Sequence, residues 1–412
     1  MKRAFALYKS AYGGLAPATW WLSLVILVNR SGTMVVPFMT LYLTENKQVS
    51  ITKAGLVMAL FGAGAVVGGF LGGQLTDRLG FYYIQLAALA GGGVMFFVVG
   101  QMNSYPAICM ATFVLSLINE SFRPANSAAI AHYSSEHNRT RSYSLNRLAV
   151  NLGWSLGGAL GGFIAAYNYQ LLFIIDGCTN IVAAFLLWLF LSPSKNKSTP
   201  SGSHQREQGF VRSAYRDKPY LIFIFLTILF AYCFFQVFST LPVFYKKELY
   251  LSEQFIGALM ALNGLMITFI EMVMVFKLDG RRHNLHYIFY GVLLTGVSYS
   301  MFNLSITPVL LAITAMVLVT VGEMLSMPFM NSYWTSRSQV LNRGQYAGLY
   351  TSAWSVAQVL APATGAILAE VYGFRFLWWF IGALCLVTAV GFKMLQRYEK
   401  NTTSQLTPGG SI

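Results

Sequence analysis

The sequence predicts an all-α integral membrane protein, with twelve transmembrane helices arranged as two pseudo-symmetric six-helix bundles. Three observations predict it. The 412 residues are 56% hydrophobic and only 10% charged, with a mean hydropathy of +0.55, whereas a soluble domain is about 25% charged. Unbroken apolar runs of roughly 20 residues recur throughout, the length that crosses about 30 Å of hydrocarbon, and the alternating pattern of a membrane barrel is absent. Finally, the one long polar stretch, residues 193–219, separates the sixth run from the seventh.

The spans follow in order. The first, residues 20–43, comes after Lys2, Arg3 and Lys9 and carries Arg30. It is too long for a signal-peptide core and lacks a cleavage site, so it is expected to remain as a helix. The second, 53–75, places Gly64, Gly68 and Gly72 at every fourth position, and Gly69 and Gly73 are expected to reinforce the stripe. Such spacing strips one face to backbone and lets a neighbouring helix approach closely. The third span is 84–102, and the fourth, 106–131, carries Glu120 and Arg123. The fifth, 145–166, repeats the small-residue pattern with Gly153, Gly157 and Gly161, joined by Gly158 and Gly162. The sixth, 170–192, carries Asp176, which is expected to be peripheral.

Residues 1–192 thus make the N-terminal bundle, and 193–219, rich in Ser, Pro, Lys and Arg, reads as a flexible cytoplasmic linker. The C-terminal bundle, 220–396, contains spans at 220–245, 254–276, 286–304, 307–331, 346–369 and 374–395, with Glu271 on the eighth and Glu323 on the tenth. Residues 397–412 form a tail. The halves echo one another: Pro124, Arg139 and Gly161 recur as Pro328, Arg343 and Gly365 at one constant offset, and Glu120 has a near counterpart in Glu323. Parallel repeats of this kind are a transporter architecture with a site near midplane.

Net charge is +14, yet the positions of the bases argue against nucleic acid. All Lys and Arg except Arg30, Arg123, Lys47, Lys53, Lys246, Lys247 and Arg375 fall in the N-terminal segment, alternate loops, linker and tail. This is the positive-inside bias, and it puts both termini in the cytoplasm. Cys109, Cys178, Cys233 and Cys385 lie within spans without paired spacing, as buried small hydrophobes rather than a disulfide or metal framework. No metal or other cofactor is expected.

At the end of the second span stands Gly73-Gln74-Leu75-Thr76-Asp77-Arg78-Leu79-Gly80. It resembles the loop-two/three signature of the major facilitator superfamily, with Phe81 and Tyr82 in place of the usual basic pair. The resemblance implies a gating role for Gly73, Asp77, Arg78 and Gly80, with Arg139 or Arg141 as partners. The run from Asn151 to Gly162 looks like the fifth-helix glycine motif of the family's proton-coupled drug antiporters, with Gly157-Gly158 where that motif has Gly-Pro. Asn29-Arg30, the stretch from Pro37 to Thr44, and Gly322-Glu323 with Pro328 resemble helices one and ten of proton-coupled oligopeptide symporters, whose signature survives only as Arg30.

The family resemblance implies that helices one, four, seven and ten line a central cavity. Arg30, Glu120, Arg123 and Glu323 then face it. Glu120 and Arg123 are close enough to pair, and Asn119, Arg123 and Asn126 follow one helical stripe. Tyr232, Phe235 and Gln236 on the seventh span, with Ser239, complete an amphipathic chamber of the kind that takes small molecules. The five histidines lie in predicted cytoplasmic segments or at their edges, so proton coupling falls to carboxylates, in the order Glu323, Glu120, Glu271. A carboxylate that alternately meets and leaves an arginine can load and release a proton.

The expected function is proton-coupled secondary transport by alternating access, exporting amphipathic small organic molecules. The alternative is proton-coupled symport of peptide-like, zwitterionic or organic-anion nutrients, which Arg30 favours. An enzyme is disfavoured because the spans hold no metal or Ser/His constellation, and a primary pump because no phosphate-cradling loop is present. The partners are a small organic substrate, protons and the lipid bilayer, with no nucleic acid, for a monomer in the cytoplasmic (inner) membrane.

Overall fold

The computed structural model describes residues 14–134, 139–193, 213–278, 280–305, 307–339 and 342–406. Most of the sequence-predicted linker (194–212), the bases Lys2, Arg3 and Lys9, and the end of the tail (407–412) lie outside the described residues. Twelve helical crossings can be followed within them: α1 Pro17–Asn46, α2 Ile51–Leu79, α3 Phe81–Gln101, α4 Tyr105–Tyr133, α5 Arg139–Tyr167, α6 Tyr169–Phe190, α7 Lys218–Phe238 with its continuation Thr240–Lys247, α8 Glu253–Leu278, α9 Asn284–Met301 and α10 Pro308–Arg337. One long helical stretch, Arg343–Leu406, is broken at Gly373 (φ 82°, ψ 161°) into α11 (343–372) and α12 (374–406). A residue with a side chain is strained in that region of backbone space, and Gly80 (φ 88°) makes the comparable corner between α2 and α3.

Prolines break α1, α4 and α7. In α1 the helix ends at Ser31 and resumes at Val35, so that Pro37 is the third residue of the new segment. In α4 it pauses at Ser121 and resumes at Phe122, and Pro124 is again third. In α7 a tight turn at Gln236–Phe238 precedes the segment beginning at Thr240, where Pro242 is third. Proline lacks an N–H and its ring strikes the carbonyl four residues earlier, so it is tolerated in a first turn and disruptive inside a helix. Pro328 instead lies within the uninterrupted α10.

The chain divides into two compact units. Unit 1 comprises Met1–Val49, Val57–Gln205 and Ser252–Thr268. Its core is built from Leu22, Val25 and Ile26 of α1, Leu89 of α3, Phe122 and Ile130 of α4 and Leu187 of α6. Gly64, Gly68 and Gly72 of α2 abut Phe113, Leu117 and Ser121 of α4, as the glycine stripe predicts. Gly69 and Gly73 do not reinforce it: they point away, with nothing closer than Pro124 at 4.0 Å. α5 is stripped on two faces. Gly153, Gly157 and Gly161 meet α1 between Arg30 and Phe38, while Gly158 and Gly162 meet the first half of α8 at Met260 and Gly257.

Unit 2 comprises Ser50–Leu56, Arg206–Leu251 and Phe269–Ile412. The fully buried Trp378 of α12 packs against Phe244, Tyr299 and Phe302 at centroid distances of 5.1, 5.5 and 5.2 Å. Gly365 of α11 meets Gln236 of α7 much as Gly161 of α5 meets Met34 and Phe38 of α1, in keeping with the internal repeat. Two of the cysteines depart from expectation, Cys178 being exposed and Cys109 half-buried. A thiol is apolar enough for a surface that lipid covers.

At the helix ends of unit 2, Asp217 caps α7 through the Tyr220 N–H (3.4 Å). It also accepts two bonds from Arg337 of α10 (2.6 and 2.8 Å) and one from Tyr346 of α11 (2.7 Å). Arg337 and Tyr333 reach on to Glu399. That contact ties down α12 past residue 395, the predicted end of the twelfth span, and the helix runs on to Leu406. Burial pushes the Asp217 carboxyl up, but the Arg337, Tyr346 and Tyr220 donors outweigh it and hold the group below the usual carboxylate range. Its contribution is therefore complete above about pH 4 and disappears only as pH falls through the lowered value. Asp217→Asn should cost about 2 kcal/mol in thermal unfolding, as for a hydrogen bond to a charged group, and by an amount unchanged between pH 5 and 8.

Candidate functional site

In unit 1 the charges gather where α1 and α4 are broken. Glu120, 7% exposed, closes α4 before the pause at Ser121 and pairs with Arg123 at 2.7 Å. The Arg123 side chain is 67% exposed, so one partner is sequestered and the other open. Arg30, half-buried on the last turn before the α1 break, lies in electrostatic reach of both Glu120 and Arg123. Its guanidinium has no hydrogen-bond or ion-pair partner among the described residues. The three form a cluster of two cations and one carboxylate, in which only one cation is paired.

The position of Arg30 follows from its neighbours. A Cβ on Gly153 would fall 2.5 Å from the Arg30 Cβ and 3.0 Å from the Ser31 nitrogen, so this glycine is what lets α1 lie against α5 at that level. Past the break, Asp176 of α6 accepts bonds from the Met34 N–H (3.1 Å) and the Val35 N–H (2.9 Å). Asn29 donates to Asn180 (2.9 Å), and Asn180 in turn to the Asp176 carbonyl (2.8 Å). Asp176 is not peripheral: it is fully buried and holds the restart of α1. Sequence reasoning missed it, although Pro37 marked a break and Asp176 was the one acid on the sixth span.

The stripe of Asn119, Arg123 and Asn126 does not form one face. Asn119 abuts Gly92 of α3, and Asn126 joins Gln85 of α3 and Asn146 of α5 (both 3.3 Å), while Arg123 is exposed. The pause at Ser121 separates the Asn119 turn from the others. The sequence-predicted gating residues Gly73, Asp77, Arg78 and Gly80 lie at the α2 to α3 corner. Asp77 and Arg78 are exposed and unpaired among the described residues, as is Arg141, and the Arg139 side chain lies outside them.

In unit 2, Gln236 is fully buried and its amide is engaged by the Ala361 carbonyl (3.1 Å) and the Thr240 hydroxyl (2.6 Å). It bridges α7 to α11, and Tyr232 does the same through Thr364 (2.8 Å). Phe235 belongs to a panel in which Phe230, Phe234 and Phe235 present edges to Trp354 of α11 at 5.8 to 6.2 Å. Glu323 is half-buried on α10, within electrostatic reach of Tyr299. Glu271, 6% exposed, ends a widened helical turn at Ile267–Glu271, a local irregularity frequent at functional sites.

The Major Facilitator Superfamily model matches residues 21–341 and 287–410. A Na(+), Li(+), K(+)/H(+) antiporter of Planococcus maritimus is 22% identical over 410 residues, covering 92% of this chain and 96% of that one. The quinolone resistance protein NorA of Staphylococcus aureus is 26% identical over 176 residues, 42% of this chain and 44% of that protein. Among solved structures, a POT family transporter in complex with 5-aminolevulinic acid superposes with a TM-score of 0.79 at 14% identity, over 92% of this chain and 96% of the other.

Gly153→Ala should lower thermal stability by about 1 to 3 kcal/mol through overpacking at Arg30. Gly69→Ala, which meets nothing within 4 Å, should leave the unfolding midpoint unchanged or raised.

Proposed function

The chain belongs to the major facilitator superfamily, and we propose that within it this protein is a proton-coupled exporter of amphipathic organic solutes bearing a carboxylate or other anionic group. It is a multi-pass membrane transporter of small substrates, not an enzyme. The proposal extends to alternating access, to a monomer in the cytoplasmic membrane and to cytoplasmic termini.

One observation carries the charge of the cargo in this reading, the balance of Arg30, Glu120 and Arg123. The Glu120–Arg123 pair cancels, and Arg30, within electrostatic reach of the same Glu120, has no hydrogen-bond or ion-pair partner of its own among the described residues. An uncompensated cation within a membrane span is costly unless water or a counter-ion answers it. An anionic group on the cargo supplies that answer through charge-assisted hydrogen bonds. Antiport in the Planococcus relative and drug resistance in NorA support export.

The coupling carboxylates rank as Glu323, then Glu120, then Glu271. If Glu323 carries the proton, its loading and release alternate with cargo binding, and antiport follows. If Glu120 carries it, protonation releases Arg123, the cluster gains positive charge, and an anion binds together with the proton. That second case is symport, and the unpartnered Arg30 is the observation that favours it as the alternative reading.

Reconstituted vesicles with an imposed pH gradient and a panel of labelled solutes test the proposal. Glu323→Gln should reduce gradient-driven accumulation at least tenfold, about 1.4 kcal/mol of coupling, while downhill exchange continues. Glu120→Gln should have the smaller effect. Substrate-linked proton flux unchanged in both variants would remove these carboxylates from the mechanism. Sodium-driven accumulation without pH dependence would remove proton coupling.

A further inference from the structure

We infer that Asp176 is a proton-binding site, and that its occupancy sets the restart of α1 and thereby the placement of Arg30. The inference rests on the proton-coupled reading above and adds a group that reading does not use.

The observations are geometric. Asp176 is 0% exposed within a membrane span. Both carboxylate oxygens are engaged, and by backbone N–H groups of Met34 and Val35 rather than by a cation. Two opposing effects act on such a group: dehydration penalises its charge, and N–H donors stabilise it. A carboxylate balanced between them, with no cation bonded to it among the described residues, can exchange a proton when its surroundings change slightly.

The elements around it hold few other charges. On α1 the titratable groups are Arg30, one turn before the break, Tyr42, whose ring meets Phe173 of α6 at 4.9 Å, and Glu45 in the last turn, within electrostatic reach of Tyr169 of α6. α3 carries no Asp, Glu, Lys, Arg or His; its tyrosines, Tyr82 and Tyr83, are at its first turn. On α5, Arg139, Arg141 and Arg147 occupy the first turns, while the residue that abuts Met34 is Gly161. On α6 itself the other titratable groups are Tyr169, which bonds to Glu253 of α8 (3.1 Å), and the exposed Cys178.

Proton binding forms one O–H bond on a carboxylate oxygen and removes one negative charge. The protonated oxygen becomes a donor and no longer accepts strongly from the backbone. The hold on Met34 and Val35 then weakens, while Asn29 and Asn180 still tie the preceding turn. Freed N–H groups in hydrocarbon are costly, so the break shifts toward a geometry that satisfies them, and Arg30 shifts with it.

The test uses the full chain in lipid nanodiscs, with the four native cysteines replaced and Thr33→Cys placed in the break. Two readouts are followed across pH 5 to 8 without cargo or gradient: the protonated-carboxyl infrared band and the rate of thiol labelling. The proposal expects a titrating carboxyl band that is absent in Asp176→Asn and shifted in Asp176→Glu. Labelling should change roughly tenfold with pH, as when a minor state of a few per cent is released, and should lose that dependence in Asp176→Asn. A band retained in Asp176→Asn, or labelling whose pH dependence survives the substitution, would overturn it. If Asp176→Asn does not fold, the Asp176→Glu band decides, an unshifted band overturning the proposal. Because neither readout requires transport, Asp176 titrating in a protein that moves no protons would refute the transport reading alone.

Discussion

A helix that stops and restarts in hydrocarbon must find acceptors for the N–H groups it frees, because lipid offers none. In α1 that requirement is met from another helix. Pro37 forces the interruption, Gly32 and Thr33 occupy it, and Asp176 of α6 takes the N–H groups of Met34 and Val35. The charged end of the first segment is fixed as a consequence. Arg30 sits on the last turn before the break, where Gly153 and Gly157 of α5 let the two backbones meet.

The same device recurs where the candidate site residues lie. Pro124 follows the break beside Glu120 and Arg123, and Pro242 follows the turn that begins with Gln236. A continuous helix buries its polar backbone in its own ladder, whereas a broken one offers donors, acceptors and a change of direction at a chosen depth. Broken helices are where transporters of this architecture bind their cargo. α10 stays one helix across Pro328, which leaves only a local gap in its ladder, and carries Glu323 on an unbroken rod, so this acid differs from the other three sites in its support.

Much of the fold was legible in the sequence because lipid imposes so strict a pattern. The twelve spans follow from apolar run length, and the close-packing faces of α2 and α5 from glycine at every fourth position, without the partner helices. The side chains around the charged residues were less legible. Gln236 looks like a cavity residue in a helical stripe, yet its amide is engaged by Ala361 and Thr240 across the α7 to α11 contact. Asn119 and Asn126 share a stripe with Arg123 only if α4 is continuous, and it is not. Asp176 shows the limit most clearly, since its role depends on a break on a different helix, which no local pattern on α6 reports. Pro37, Pro124, Pro242 and Pro328 were the available signal, each on the first helix of its three-helix unit.

The central claim is that the unpaired cation at Arg30 selects the charge of the cargo. The most direct measurement is uptake into proteoliposomes of one aromatic scaffold carrying a carboxylate, its neutral amide or an amine, by the native protein and by Arg30→Gln. The account predicts that the native protein prefers the carboxylate and that Arg30→Gln loses this preference while still moving the amide. Equal handling of the three by the native protein, or a carboxylate preference that survives Arg30→Gln, would contradict it.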